Sequence, residues 1–229
     1  FLACRSLEAA IVDLGFADAG LQLVVIDTGV KPSHATGGYG ERRAACERGA
    51  AIMGVPALRD VSVDDLPRAA DLMDADLEAL AALAATEMGK TIGTAKYEVT
   101  KSANGMRHYA DHAEEYLADE TPVPASSVGA SAARVVFQPI GTVLAVMPWN
   151  YPFWQVIRFA APALMAGNTG LLKHASSVPQ VALYLGELFE RAGFPAGAVQ
   201  TLLVGGAAGS RLLDDPRIAG RARTGPGGP

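Results

Sequence analysis

Apolar positions along this chain come in two textures. Short unbroken runs read as buried strands, and longer stretches with apolar residues every three or four positions read as helices. Residues 21–27, LQLVVID, are a run of the first kind. A polar, Gly-rich stretch follows at 28–40, and residues 41–54 have helix-forming composition ending at Gly54 as a C-cap. Residues 55–66 read as a turn, a short extended piece and an N-cap. From Arg68 one Ala/Leu-rich amphipathic helix is predicted to run unbroken to Gly89. A second helix spans about Thr94 to Ala118, with Tyr97, Met106, Tyr109 and Tyr116 as candidate core positions.

Residues 121–131, TPVPASSVGAS, are linker-like. ARVVFQPIGTVLAVMPW then predicts two strands separated by a turn at Pro139–Gly141. A helix is expected at 154–166, a strand at TGLLKHA (169–175), a capped helix within 176–193 and a strand at VQTLLVGG (199–206). Strands and helices in this alternation, joined by short connections, predict an α/β fold with a wound parallel sheet. No internal repeat is visible. A further strand is due after 206, but in the last eleven residues, AGRARTGPGGP, Arg221 and Arg223 suit one poorly and three glycines and two prolines close the chain, so they read as a ragged end.

Composition narrows the class without naming a function. Half of the 229 residues are hydrophobic, 19% are charged and the formal net charge is -5. That is a core-forming chain, and its 19 basic residues form no long stripe, so no nucleic-acid partner is expected. The two cysteines, Cys4 and Cys46, are no disulfide framework, which favours a reducing cytoplasm. No apolar run reaches the roughly 20 residues that cross a bilayer, so no membrane association is expected. The chain opens on Phe with no basic-then-apolar leader, which suggests a fragment or a processed chain. His34 has no Cys or second His at ligand spacing, and no metal is assigned.

Chemistry gathers at strand ends. In wound parallel sheets ligands sit at the carboxyl ends of strands. Asn150 follows the strand GTVLAVMPW, and Lys173 closes TGLLK. An uncharged amide can donate to a developing oxyanion, and a lysine so placed can hold a ribose hydroxyl or a phosphate. Taken singly, an Asn before Tyr-Pro is also an ordinary turn residue and a strand-end Lys an ordinary surface charge.

The succession PWNYP, ALMAGNTGLLKHASSVP and GFPAGAVQTLLVGG, preceded by EMGKTIGTAKYEVTKSANGMRHYADHAEEYL, resembles the aldehyde dehydrogenase superfamily over roughly residues 68–220. Within it the stretch looks most like NADP-dependent succinate-semialdehyde dehydrogenases. The resemblance implies that Asn150 stabilises the thiohemiacetal oxyanion, that Pro148 and Trp149 line the nicotinamide-ribose side of a cofactor cleft, and that Lys173 holds the adenosine ribose. Three residues beyond Lys173, NAD-preferring members commonly carry Glu, and Ser176 stands here. A carboxylate would repel a 2′-phosphate and a hydroxyl can donate to it, so NADP is expected in preference to NAD. Arg158 matches an arginine near the substrate carboxylate. The family's chemistry also needs a cysteine nucleophile and a glutamate base. This sequence has no Cys after Cys46. Of the Thr-Gly-Ser turn that approaches the cofactor phosphates, Thr224 and Gly225 match and Pro226 replaces Ser. Residues 68–229 are thus expected to be a partial cofactor-binding domain without its nucleophile, inactive alone; the parent family is oligomeric, and the sequence does not fix the oligomeric state of this chain.

Residues 1–66 read differently. VVIDTGVKPSHATGGYGERRAACERGAAIMGV, with His34, Tyr39, Arg42, Arg43, Cys46 and Glu47 in order, resembles galactokinases. That implies a short α+β piece in which Tyr39 contacts the sugar. The chain then joins two unrelated partial domains near residues 66–70. The competing readings are an aldehyde dehydrogenase segment, a sugar kinase remnant and a non-catalytic NADP-binding or assembly module.

Overall fold

The computed structural model describes residues 64–224; the strand predicted at 21–27, Tyr39 and the whole galactokinase-like stretch lie outside them. Helix α1 (Asp65–Ala75) and α2 (Leu77–Met88) meet at Asp76, and α3 spans Ile92–Tyr116. After a short 3-10 turn (Ala125–Val128) come β1 (Thr142–Met147), α4 (Trp154–Met165), β2 (Thr169–His174), α5 (Pro179–Arg191), β3 (Val199–Thr201), α6 (Gly206–Leu212) and β4 (Gly220–Arg223). The strands form one parallel sheet in the order β3-β2-β1-β4. The order reverses at β1, whose neighbours are the next strand in sequence on one side and the last on the other.

The single helix expected over 68–89 is two. Asp76 has dihedrals outside the helical range (φ -88, ψ 7), and its carboxylate accepts from the Tyr184 hydroxyl at 3.1 Å and the Arg191 guanidinium at 3.3 Å. A short carboxylate that competes with the helical backbone, held by partners on α5, breaks the run there. Burial, and then Asp76 beside it, pushes the Tyr184 phenol above its ordinary range. Gly89 ends α2 in the left-handed region at φ 74, where a side chain would be strained.

Helix α3 buries Ala95, Val99, Ser102, Ala103, Met106 and Ala113, a stripe with helical period. Met106 is in the core as expected and Tyr109 packs partly against it. Tyr97 and Tyr116 do not: they are 66% and 48% exposed. Tyr97 falls two positions from both Ala95 and Val99, about 200° around the helix, so it faces water. Tyr116 stacks on His112 at 5.8 Å instead.

The strand expected before Pro139 does not form. Val135 makes only an isolated antiparallel bridge with Glu120, and Val135, Val136 and Phe137 remain exposed. β-branched residues without packing partners do not make a strand. The opposite error concerns the ragged end. Gly220–Arg223 is β4, pairing in parallel with Val143–Val146 of β1. The Ala219 N–H donates to the Thr142 carbonyl at 2.8 Å and the Thr224 N–H to Val146 at 3.3 Å. Arg221 and Arg223 alternate outward while Gly220 and Ala222 turn inward, which is strand periodicity carried by small residues.

Helix α4 lies against α3 closely enough that a Cβ on Gly105 would come within 2.8 Å of the Trp154 ring. Lys101 sits over that ring at 4.3 Å. Phe153 at the N-cap of α4 and Val156, Ile157, Ala160 and Ala161 on it, with Leu172 from β2 and Leu185, Leu188 and Phe189 from α5, join the helical layer to the sheet in one core. Among the described residues no helix is long and apolar enough to cross a membrane.

Candidate functional site

The carboxyl ends of β1 and β2 stand side by side, with Val146 in register with Lys173 and Met147 with His174. The chain leaves β1 through Pro148, Trp149, Asn150 and Tyr151 and enters α4 at Trp154. Trp149, Asn150 and Tyr151 are exposed, while Pro152 and Phe153 are buried. The turn thus presents its polar tip outward and roots itself through the two residues that follow. Lys173 is half-buried. Its aliphatic stem passes the α6 residue Gly209, where a Cβ would meet it at 3.5 Å, and its ammonium forms no ion pair among the described residues. Ser176 is exposed in the turn that follows β2. Asn150, Pro148, Trp149, Lys173 and Ser176 therefore come from two adjacent strand ends.

Arg158 lies further along α4. It lines a cleft of about 630 Å³ with Met147, Gln155, Phe159, Arg221 and Thr224. The cleft opens between α4 and β4, where the strand order reverses, the place at which wound sheets bind ligands. Pro162 lines it too and, lacking an N–H, leaves the Arg158 carbonyl without its helical donor. The Gln155 side-chain oxygen is buried there with no hydrogen-bond partner, an acceptor that something else must satisfy. Gln155 was not singled out in the sequence, where a glutamine on a helix carries no signal.

Three supporting groups were also missed. Glu98 on α3 is completely buried. Its Oε1 accepts the backbone N–H of Phe153 at 2.8 Å and of Trp154 at 3.0 Å, so a side chain from another element caps α4. Its Oε2 is paired with the Lys90 ammonium. Lys90 is only 7% exposed in its side chain and lies 3.9 Å from the centre of the Tyr151 ring. A glutamate three residues after Ala95 and four before Ser102, within the buried stripe of α3, was the legible sign that a charge is held inside.

His174 is the third. Its Nδ1 accepts the Ala175 N–H at 2.8 Å, and its Nε2 is 2.9 Å from the Pro152 carbonyl. A backbone N–H on one ring nitrogen and a carbonyl on the other require a neutral ring with its proton on Nε2. Burial pushes this imidazole below its ordinary value, an effect that the carbonyls of Pro152 and Met147 partly offset. Ligation is absent from this account: among the described residues no group of three or more His, Cys, Asp or Glu is placed to hold a metal.

A parallel wound sheet with an amide-bearing turn and a lysine at neighbouring strand ends, and a basic cleft where the strand order reverses, defines an α/β domain of the doubly wound class. The chain belongs to the aldehyde dehydrogenase family, whose sequence model matches residues 62–226. It is 66% identical over 158 residues to an aldehyde dehydrogenase of Paenarthrobacter nicotinovorans, covering 69% of this chain and 34% of that protein. It is 61% identical over 156 residues to succinate-semialdehyde dehydrogenase [NADP(+)] 1 of Mycobacterium ulcerans, covering 68% of this chain and 34% of that protein. The fold superposes on succinic semialdehyde dehydrogenase from Streptococcus pyogenes in complex with NADP+ with a TM-score of 0.69 at 28% identity, covering 88% of this chain and 42% of that one. The chain thus spans about a third of the length of the curated relatives it matches.

Proposed function

We propose that residues 68–229 supply the oxyanion amide and part of the cofactor cleft of an NADP-dependent aldehyde dehydrogenase whose substrate is a short semialdehyde bearing a carboxylate, such as succinate semialdehyde. The observation that carries this reading is the pairing of two strand ends, one bearing Asn150 and the other Lys173 followed by Ser176. The donor set fits the cofactor: a lysine ammonium with no carboxylate partner among the described residues, and a hydroxyl at position 176, suit a ribose carrying a 2′-phosphate. When bound, NADP accepts the hydride of the aldehyde. Lys173 would hold the adenosine ribose, Ser176 would donate toward the 2′-phosphate, and Pro148 and Trp149 would line the nicotinamide side. Asn150 would donate its amide N–H to the oxygen that gains charge when a thiolate adds to the aldehyde. Arg158, in the cleft at the strand-order reversal, would pair with the far carboxylate. The names of the relatives point to the same substrate and cofactor.

No cysteine follows Cys46 in this sequence, so the 229-residue polypeptide is expected to bind the cofactor without turning substrate over. Titrating it with NADP and NAD, following the fluorescence of Trp149 and Trp154, tests the reading. NADP should bind the more tightly, and Lys173→Met should weaken both. A folded chain that binds neither dinucleotide would sink it, and NADPH formation from succinate semialdehyde would disprove the expected inactivity. The galactokinase-like reading of residues 1–66 rests on the order of His34, Tyr39 and Glu47 and precedes most of the family match; ATP-dependent phosphorylation of galactose by the polypeptide would be its test.

A further inference from the structure

The geometry points to Glu98 and Lys90 as positioning residues for the Asn150 turn. The inference rests on the reading of Asn150 as the oxyanion amide. Asn150 cannot place itself, because its side chain makes no hydrogen bond among the described residues and, like Trp149 and Tyr151 on either side, it is exposed. Where its amide points is set by the backbone that flanks it. Upstream, that backbone is held by β1. Downstream, it is held where the Phe153 and Trp154 N–H groups meet one carboxylate oxygen of Glu98.

Several features make this contact more than an ordinary helix cap. The acid comes from α3, 55 residues earlier in the chain for Phe153, so it ties the turn to a rigid 25-residue helix rather than to a neighbouring loop. It is fully buried, so water cannot take its place. Glu98 lies within the buried stripe of α3, beside Ala95, Val99, Ser102 and Ala103. Lys90 completes the device. It neutralises the second carboxylate oxygen, without which a buried anion would be uncompensated, and its ammonium lies on the ring of Tyr151, the residue directly after Asn150. One ion pair therefore touches the Asn150 turn at Tyr151, Phe153 and Trp154. An amide that must donate along a fixed line to a developing charge needs this kind of support, since misplacement by about 1 Å costs on the order of a hundredfold in rate.

Two double variants of the full 229-residue chain separate positioning from bulk stability. K90M/E98Q removes both charges but keeps a carbonyl oxygen that can accept the two N–H groups. K90M/E98L removes the charges and the acceptor while retaining apolar volume. Hydrogen exchange and the Asn150 side-chain amide resonance are read by NMR in both. In K90M/E98Q, which loses the ammonium on Tyr151 but keeps the acceptor for Phe153 and Trp154, the Asn150 resonance should move less than in K90M/E98L. In K90M/E98L it should shift or broaden, and exchange at Phe153 and Trp154 should be about tenfold faster, the scale of one lost hydrogen bond. Identical Asn150 signals in the two variants would overturn the assignment, as would faster exchange spread evenly over β1 and α4. Failure of either variant to fold would also overturn it, because the pair would then support the whole core rather than the turn. NADP titration of the same samples keeps the two readings apart: a parent chain that ignores NADP counts against the cofactor reading and leaves the resonance contrast to decide this one.

Discussion

Glu87, in the last turn of α2, accepts the backbone N–H of Gln180 at 2.8 Å and of Val181 at 3.0 Å, one on each carboxylate oxygen. It thereby caps α5 from 93 residues away in the sequence. The residue just before α5, Val178, has no side chain able to do this. Replacing Glu87 by Ala should cost about 0.5–2 kcal/mol, the usual range for a lost cap. Chemical denaturation of the purified variant measures it, and the first turn of α5 should lose hydrogen-exchange protection before the rest of that helix.

Glu98→Ala should be far more costly. It leaves the Lys90 ammonium buried without its anion and two helix N–H groups without an acceptor, and breaking a buried pair from one side costs about 3–5 kcal/mol. The double replacement Lys90→Met with Glu98→Leu should be milder than Glu98→Ala alone, a non-additivity that a double-mutant cycle of unfolding free energies reads directly.

Acid should weaken the fold through His174. Its folded value lies below its ordinary 6.5 because burial disfavours the charged ring. The unfolded chain therefore binds the proton more readily, and stability falls as pH drops below about 6.5 toward the folded value. Above that window the ring is neutral in both states and contributes no slope. Glu87 pulls the value up and Lys173 pushes it down, so Glu87→Gln should lower it further. The difference in unfolding free energy between parent and His174→Gln, followed from pH 8 to 5, should change only at the acid end, where the parent alone loses stability.

Gly105→Ala should be destabilising although alanine is the better helix former. The added Cβ would come within 2.8 Å of the Trp154 ring, forcing α3 and α4 apart at a cost of about 1–3 kcal/mol. Adding Trp154→Leu should recover part of the loss. Equal stability of parent and Gly105→Ala in denaturant would refute the close approach.

Ser176→Glu should reverse the dinucleotide preference. A carboxylate three residues beyond Lys173 would repel a 2′-phosphate and suit a free ribose hydroxyl. A charge-assisted hydrogen bond is worth about 1.5–3 kcal/mol, so NADP affinity should fall by roughly 10- to 150-fold with NAD unchanged or improved. Parallel fluorescence titrations with the two dinucleotides give the ratio.

The sequence made some of this visible and hid the rest for identifiable reasons. β1, β2, α4 and α5 were legible because their apolar positions keep one period from end to end. The placing of Asn150 and Lys173 at neighbouring strand ends was legible because one follows and the other lies at the end of such a strand. β4 was not, because its inward positions are Gly220 and Ala222, too small to register as a hydrophobic run, and its outward ones are arginines. The break at Asp76 depends on Tyr184 and Arg191, more than a hundred residues downstream. Glu98 and Glu87 escaped for the same reason: no local pattern records which helix end a carboxylate will reach after folding. The two tyrosines expected in the core, Tyr97 and Tyr116, show the converse, since aromatic character alone does not tell which face of α3 is inward.

The two distant caps also bear on how the molecule can be divided. A polypeptide beginning at residue 119 would keep β1 to β4 and the helices α4 and α5 that connect them, and would look like a self-sufficient unit. It would lack Glu87 and Glu98 together, so α4 and α5 would each begin on unanswered N–H groups beside the strand ends that carry Asn150 and Lys173. The modular boundary suggested by the helix-then-sheet layout is not one at which the protein can be taken apart.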